Sequence, residues 1–193
     1  MFFTLSTTDG LRRYPADFQH HWTLLFYYAG DFLPVSATEL WGLAELAEEF
    51  RQNGCQLLCI SPDSVAVHLA FLENLSRHRA PAVSFPLGAD PEGILRKKLK
   101  LDPGKKYIWL LSPGGRPEAL FSYPHQTGAN FTEVLRTLLA LRLEKPTPYG
   151  WVPGESTLCL PPATHAESRH FLAAKEKEGA IGIDWYLCYE NED

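Results

Sequence analysis

The feature that most constrains the fold is an apolar and aromatic run, WTLLFYYA, at residues 22–29. A strand with one face in water alternates apolar and polar residues, whereas this run is apolar at nearly every position. Both faces of the strand must therefore be covered. The run predicts a central strand of a sheet that lies between layers of helices.

Strand and helix patterns then alternate along the chain. Residues 37–50 carry apolar side chains at helical spacing, and Gly54 can supply the left-handed residue that ends a helix. A second buried strand is predicted at residues 56–61, and the turn Pro62-Asp63-Ser64 leads into a second helix. Two consecutive strand–helix units predict a βαβ crossover.

The third segment predicts a hairpin followed by a helix. Residues 107–112 and 119–123 read as strands joined by a short glycine-containing loop. Asn130 and Glu133 then match the N-cap and N3 pattern of a long helix. The order ββαβαββα, with both crossover and hairpin connections, predicts an α/β fold with a mixed central sheet flanked by helices.

The character of the sequence changes after Lys145. Residues 146–162 are rich in proline and glycine, and a short helix is predicted from about Ala166 to Glu178. The closing IDWYLCY at residues 183–189 is too apolar for a free tail, so we expect it to pack on the domain or on a partner subunit. We predict a domain at residues 1–145 and a C-terminal arm at 146–193.

Composition excludes several classes of protein. The chain has 193 residues, 45% of them hydrophobic, and a net charge of −5, which offers no general attraction for nucleic acid or anionic lipid. A basic run between Arg96 and Lys106 is interpreted as a solvated helix face. Neither a secretory signal nor about 18 successive apolar residues occurs. We expect a cytoplasmic protein that binds neither nucleic acid nor membrane.

The cysteines show no metal-binding pattern. There are four, Cys55, Cys59, Cys159 and Cys188, with no C-x-x-C and no histidine at zinc-ligand spacing. We therefore expect no metal and no cofactor. Cys55 and Cys59 are predicted to be packed thiols on one face of a strand. A structural disulfide is an alternative that a reducing compartment disfavours.

The stretch DFLPVSATE, between the first strand and the first helix, contains the candidate site. Ser36 and Glu39 match the S/T-x-x-E capping box, in which each side chain accepts a hydrogen bond from the other residue's amide. Ser36 is therefore predicted to be the N-cap of the helix, worth about 1 kcal/mol over alanine.

Longer strings identify a family. The chain resembles the peroxiredoxins of the alkyl hydroperoxide reductase and thiol-specific antioxidant type, in their one-cysteine-like branch with a C-terminal arm. The likeness lies in WTLLFYYAGDFLPV followed by ATEL, FRQNGCQLLCISPDSVAVHLAFLENLSRH, FPLGADPEG, WLLSPGG, YPHQTGANFTEVLRTLLAL, GWVPGE and IDWYLC. The resemblance implies a thioredoxin-like fold, an antioxidant oxidoreductase activity as a thiol peroxidase, and homodimers or rings of dimers.

The resemblance breaks at the active site. The family has a P-x-x-x-T-x-x-C frame, and the proline, threonine and peroxide-attacking cysteine correspond here to Ala29, Leu33 and Ser36. The arginine beside the thiolate corresponds to Lys106, and a second arginine to Ala129. In the family the acid at Glu39 pairs with the first arginine, so a pair between Glu39 and Lys106 is the alternative to the capping box.

These differences remove the chemistry that the family uses. A helix N-terminus and a guanidinium lower a cysteine pKa so that a thiolate attacks peroxide and carries the sulfenic acid. A serine hydroxyl is far more basic, and its oxygen has no such reversible oxidation. Lysine also lacks the planar fork of arginine. We predict a pseudoenzyme that has lost its peroxidase activity, with Leu33 and Ala29 filling the peroxide pocket.

Other interpretations stay open. Residual peroxidase activity through Cys188, which lies in the D-W-x-x-C string, is one, and a subunit that assembles with an active paralogue is another. Ser36 as an engineered replacement is disfavoured by the four accompanying differences. A serine hydrolase needs a histidine base, and His20, His21 and His68 are predicted at strand or helix flanks.

Overall fold

A computed structural model of the chain describes residues 2–191. Its main sheet has seven strands in the order β2-β1-β5-β4-β3-β6-β7. These strands are β1 Phe3–Thr7, β2 Gly10–Tyr14, β3 Trp22–Tyr27, β4 Cys55–Ser61, β5 Leu87–Ala89, β6 Lys105–Leu111 and β7 Pro117–Pro124. A second sheet has the order β8-β10-β9 and comprises β8 Thr157–Leu158, β9 Ile181–Asp184 and β10 Leu187–Glu190.

Within residues 2–191, each α-helix lies between two strands in the sequence. The helices are α1 Pro34–Gln52, α2 Val65–His78, α3 Ile94–Lys98, α4 Phe131–Arg142 and α5 His165–Lys177, with a short 3-10 turn at Ala16–Phe18. None of the helices within residues 2–191 has the length and apolar character needed to cross a lipid bilayer.

The main sheet is mixed, as predicted. Strands β3, β4 and β5 are parallel, and β6 and β7 continue the sheet in antiparallel fashion beyond β3. Strand β3 lies between β4 and β6, and its residues Leu24, Leu25 and Phe26 have no exposed surface. The predicted central strand, the βαβ crossover and the helix-flanked mixed sheet are confirmed.

Alternate residues of β3 face two different layers. Leu25 and Tyr27 belong to an apolar cluster that also contains Trp109 and Leu111 of β6. Phe26 points to the opposite face, where its ring meets Phe131 of α4 edge-on at a centroid distance of 5.3 Å. That second face also carries the candidate site.

The start of α1 differs from the prediction. The helix begins at Pro34, and the extended residue Leu33 is its N-cap. Proline suits the first helical position because its fixed φ is already helical and its missing N–H would have no partner there. Ser36 therefore lies inside the first turn, and the capping-box prediction was wrong. The starts at Ser64 and Asn130 are confirmed, because their side chains accept from Val67 N and Glu133 N.

The described residues form two compact units, 2–134 and 135–191. Because this division passes through the continuous helix α4, it does not test the boundary predicted at residue 145, which stays a prediction. In the second unit, α5 closely matches the predicted helix and begins with a capping box between Thr164 and Glu167. Its core contains Cys159, Ala180 and Cys188, with Phe171 and Leu172 packed against them.

The closing apolar stretch is only partly buried. Cys188 in β10 is buried, but Ile183, Trp185 and Tyr186 are 75%, 43% and 63% exposed. Cys188 is buried in the core of the second unit itself, so the prediction that this stretch packs on the domain or on a partner subunit stays a prediction. The three exposed side chains form an apolar edge around the β9–β10 turn.

Candidate active site

A buried ion pair links the first helix to the sheet. Lys106 in β6 donates from Nζ to Oε1 of Glu39 in α1, and both side chains are almost completely excluded from solvent. The sequence left two partners open for Glu39, a capping box with Ser36 and an ion pair with Lys106. The structure contains the ion pair. It also corrects the interpretation of the basic run, because Lys106 is buried rather than on a solvated helix face.

The two oxygens of the Glu39 carboxylate differ in their hydrogen bonds. Its Oε1 also accepts from the backbone N–H of Ala129 at 2.8 Å. Its Oε2 is buried and, among residues 2–191, has no hydrogen-bond partner. Burial raises the pKa of Glu39, and the hydrogen bonds from Lys106 and Ala129 oppose that rise. One carboxylate oxygen is therefore a buried acceptor without a donor.

A cleft adjoins this carboxylate. Its volume is about 360 Å³, and its lining includes Glu39, Glu45, Gly128 and Ala129. Glu45 is bound at 2.5 Å by Arg79. No lysine or arginine lines the cleft within the described part of the chain. The cleft beside Ala129 is thus lined by carboxyl groups and by no basic side chain among the described residues.

Ser36 lies one turn before Glu39 on α1. Residues three apart lie on the same side of a helix, so Ser36 and Glu39 face the same interior. Ser36 is 1% exposed. Its position near the helix N-terminus favours an anion, but a hydroxyl does not ionise at neutral pH as a thiol does there.

Leu33 and Ala29, the other two residues of the predicted active-site frame, are not fully buried. Leu33 is 44% exposed, and Ala29 is only partly buried. The exposure of Leu33 does not favour the filling of a peroxide pocket by these two side chains, which stays a prediction. Leu33 has extended backbone angles, as the N-cap residue of α1.

The loop before α1 has an unusual backbone. Gly30 and Phe32 have positive φ angles of 153° and 54°. A Cβ at Gly30 would lie 3.2 Å from Oδ2 of Asp63, so a side chain there would crowd that carboxylate. Phe32 is held in its uncommon conformation by Phe71, whose ring centroid lies 4.8 Å away.

A buried polar network anchors this loop. Asp31 accepts from the Tyr28 hydroxyl at 2.5 Å and contacts Nδ1 of His68 at 2.7 Å. The Asp31 amide donates to Asp63 at 2.7 Å. Nε2 of His68 lies 3.1 Å from the carbonyl of Gly88. The network ties the loop to α2 and to β5.

Both ring nitrogens of His68 are engaged in this arrangement. Nδ1 lies against the Asp31 carboxylate, and Nε2 lies against the backbone carbonyl of Gly88. A general base needs a free nitrogen, and this ring has none. The sequence placed His68 at a helix flank, which was wrong: it lies within α2 with no exposed surface. The serine hydrolase interpretation therefore has no base at His68.

None of the four cysteines replaces Ser36 in the first turn of α1. All four are buried and free of disulfides. Burial raises the pKa of the Cys59 thiol well above its ordinary value, and the Glu39 carboxylate adds to the rise. Cys55 lies at the start of the same strand, as predicted for a packed thiol. These environments oppose the thiolate that attacks peroxide.

Comparison with known proteins places the chain in a family. The model of the AhpC/TSA family matches residues 2–127. A peroxiredoxin of Methanosarcina mazei is 31% identical over 207 residues, which cover 98% of this chain and 94% of that protein. A peroxiredoxin of Thermotoga maritima is 31% identical over 200 residues, covering 96% and 92%.

Solved structures agree with the fold. A yeast mitochondrial 1-Cys peroxiredoxin superposes with a TM-score of 0.86 at 24% identity, covering 100% of this chain and 96% of that one. A cysteine-to-serine mutant of peroxiredoxin 6 from Arenicola marina gives a TM-score of 0.85 at 25% identity, covering 99% and 94%. The fold is thioredoxin-like, of the peroxiredoxin kind. The chain belongs to the AhpC/TSA family of peroxiredoxins, whose members are thiol peroxidases.

Proposed function

We propose that this chain is a peroxiredoxin that has lost thiol peroxidase activity and keeps its fold as a binding, regulatory or assembly module. The observation that carries the proposal is the presence of Ser36 in the first turn of α1, where the family resemblance places the attacking cysteine. A serine oxygen does not pass through a reversible sulfenic acid. Lys106 at the arginine position is bound to Glu39 and offers no planar fork to a peroxide.

The experiment is a peroxide-consumption assay on the purified, fully reduced chain with dithiothreitol as reductant. At peroxide concentrations too low to oxidise the buried thiols, the expected rate equals that of the reductant alone. The matched variant is Ser36→Ala, which leaves every thiol in place and is expected to give the same rate. Turnover clearly above the reductant background would overturn the proposal.

Residual peroxidase activity through Cys188 is the competing enzymatic proposal. Cys188 is 2% exposed, which hinders peroxide access. The same assay on Cys188→Ser separates the two proposals. Activity that is present in the wild type and lost in this variant supports the residual enzyme.

We also propose that the module assembles with a second copy through the C-terminal arm, as a homodimer or a ring of dimers. The supporting feature is the apolar edge of Ile183, Trp185 and Tyr186, which is exposed in the single chain. Covering such surface is favourable by about 25 cal/mol per Å². An active paralogue with a similar arm is the alternative occupant.

Sedimentation velocity tests this assembly. The wild type is expected to sediment as a dimer or larger species, and Tyr186→Ser with Ile183→Ser is expected to shift it towards the monomer. Leu120→Ser, an exposed position on β7, is the matched control and should have no effect. A monomeric wild type would overturn self-assembly. The four free thiols support a reducing compartment such as the cytoplasm.

A further inference from the structure

Two cysteines that are distant in sequence face each other across the second sheet. Strand β10 pairs with β8 in antiparallel register, with Tyr189 opposite Leu158 and Glu190 opposite Thr157. The same register places Cys188 opposite Cys159. The backbone agrees, because the Cys159 amide donates to the Cys188 carbonyl at 2.7 Å.

Both thiols lie in the small core of the second unit. Cys159 and Cys188 are 7% and 2% exposed, and Phe171 and Leu172 of α5 pack against them. On the other side, a Cβ added at Gly182 of β9 would lie 3.4 Å from the Cys188 sulfur. Gly182 therefore lets β9 approach the Cys188 sulfur closely.

The two thiols also interact with each other. Burial, followed by a hydrogen bond with the Cys188 thiol, raises the pKa of Cys159 to about 12. Glu190 of β10 adds to this rise, and Lys175 of α5 opposes it. The two thiols are thus adjacent and shielded from bulk solvent.

We propose that Cys159 and Cys188 are a redox pair that closes into an intrachain disulfide when hydrogen peroxide reaches the second sheet. Residues directly opposite in an antiparallel ladder have Cα atoms about 5.5 Å apart at a hydrogen-bonded position. That separation lies inside the roughly 4.4–6.8 Å range of protein disulfides. The pair does not depend on Ser36, so it stands or falls separately from the proposed loss of peroxidase activity.

The chemistry balances in two steps. The sulfur of one cysteine, as thiolate, attacks one peroxide oxygen; the O–O bond breaks, a sulfenic acid forms, and hydroxide leaves and takes up the thiol proton as water. The sulfur of the second cysteine then attacks the sulfenic sulfur. The S–O bond breaks, the S–S bond forms, and a second water leaves with the remaining proton. Two thiols and one hydrogen peroxide thus give one disulfide and two waters.

The chain contains its own control pair. Cys55 and Cys59 lie on one strand, four residues apart, so their Cα atoms are about 13 Å from each other. This separation exceeds the disulfide limit of about 7 Å. Oxidation limited to a pre-formed pair should therefore leave Cys55 and Cys59 as thiols.

The test is peptide mapping of the intact, folded chain after treatment with hydrogen peroxide. Free thiols are blocked by alkylation, and the digest is analysed by mass spectrometry with and without dithiothreitol. We expect one disulfide per chain, joining the peptides of Cys159 and Cys188, reversible by dithiothreitol and migrating as a monomer on a non-reducing gel. Cys55→Ser should keep this bond, and Cys159→Ser should lose it completely.

If a variant fails to fold, the peptide map of the oxidised wild type decides the test by itself. Oxidised chains in which Cys159 and Cys188 are both alkylated, or both carried to sulfinic acids, would overturn the proposal. A bond to Cys55 or Cys59, or between two chains, would also overturn it. The peroxide-consumption assay is read separately, because it uses low peroxide, whereas the mapping experiment uses peroxide high enough to oxidise these two buried thiols without dithiothreitol present.

Discussion

Lys106 of β6 reaches the interior and binds Glu39 on α1, across 67 residues of sequence. Both charges are buried, and the Ala129 amide supplies a further donor to the same carboxylate oxygen. Each charge depends on the other, because a buried charge without a partner is strongly unfavourable. The pair therefore joins α1 to β6 beside Ser36 whether or not the site reacts with peroxide.

Replacing Lys106 by methionine should be strongly destabilising. The variant leaves the Glu39 carboxylate buried with only the Ala129 amide as donor. We expect the free energy of unfolding to fall by about 3–5 kcal/mol, measured by urea denaturation at neutral pH. The double variant Lys106→Met with Glu39→Gln removes both charges and should recover much of that loss. Equal losses in the single and double variants would contradict an interdependent pair.

The protonation of Glu39 should make stability depend on pH. Because burial raises the folded-state pKa above the ordinary value of 4.5, the folded chain binds this proton more tightly than the unfolded chain does. The resulting stability is fully present below pH 4.5 and is lost as pH rises through the folded pKa. Glutamine does not titrate. The free energy of unfolding of the wild type, measured relative to that of Glu39→Gln, should therefore decrease as the pH rises from 4.5 through the folded-state pKa of Glu39.

Urea denaturation of both proteins, below pH 4.5 and at neutral pH, measures this difference. Comparing the two proteins cancels the titration of all other groups. A difference that stays constant, or that moves in favour of the wild type as pH rises, would contradict a raised pKa at Glu39.

The cleft beside Ala129 should accept an arginine. A guanidinium placed there can donate to the buried Oε2 of Glu39, which has no other donor among residues 2–191. We expect Ala129→Arg to raise the free energy of unfolding by about 1 kcal/mol, since it satisfies a buried acceptor. Ala129→Leu adds apolar volume without a donor. Equal effects of the two substitutions would show that filling space, not pairing, is responsible.

His68 should be essential to the loop before α1. His68→Gln removes the ring that joins the buried Asp31 carboxylate to the Gly88 carbonyl, so a loss of about 1–3 kcal/mol is expected. His78→Gln changes an exposed histidine on the same helix and should alter stability by no more than about 0.5 kcal/mol. Thermal unfolding of both variants provides the comparison. Similar melting temperatures would mean that the network does not stabilise the fold.

Much of the fold follows from local patterns. The apolar run in β3 and the helical spacing after it predict elements that the structure contains, because each pattern directly reflects burial of one or two faces. The helix starts at Ser64 and Asn130 were predictable for the same reason, since each cap binds within its own turn. At α1 two local signals compete, and Pro34 at the first helical position prevails over the Ser36 pattern.

The site was less predictable because its contacts are long-range. No local pattern links Glu39 to Lys106, and only the family resemblance suggested their pairing. Asp31 and His68 are 37 residues apart, and their contact depends on how α2 packs over the loop. Cys159 and Cys188 lie opposite each other because of the register of β8 and β10. The proline-rich sequence around β8 does not reveal that register.

The most direct test compares peroxide consumption by the reduced wild type with that by Ser36→Cys. The account predicts no turnover above the reductant background in the wild type. It predicts that the new thiol in Ser36→Cys, at a helix N-terminus, is oxidised by peroxide. Robust turnover by the wild type, unchanged in Ser36→Ala, would contradict the account, because the chemistry would then reside elsewhere in the chain.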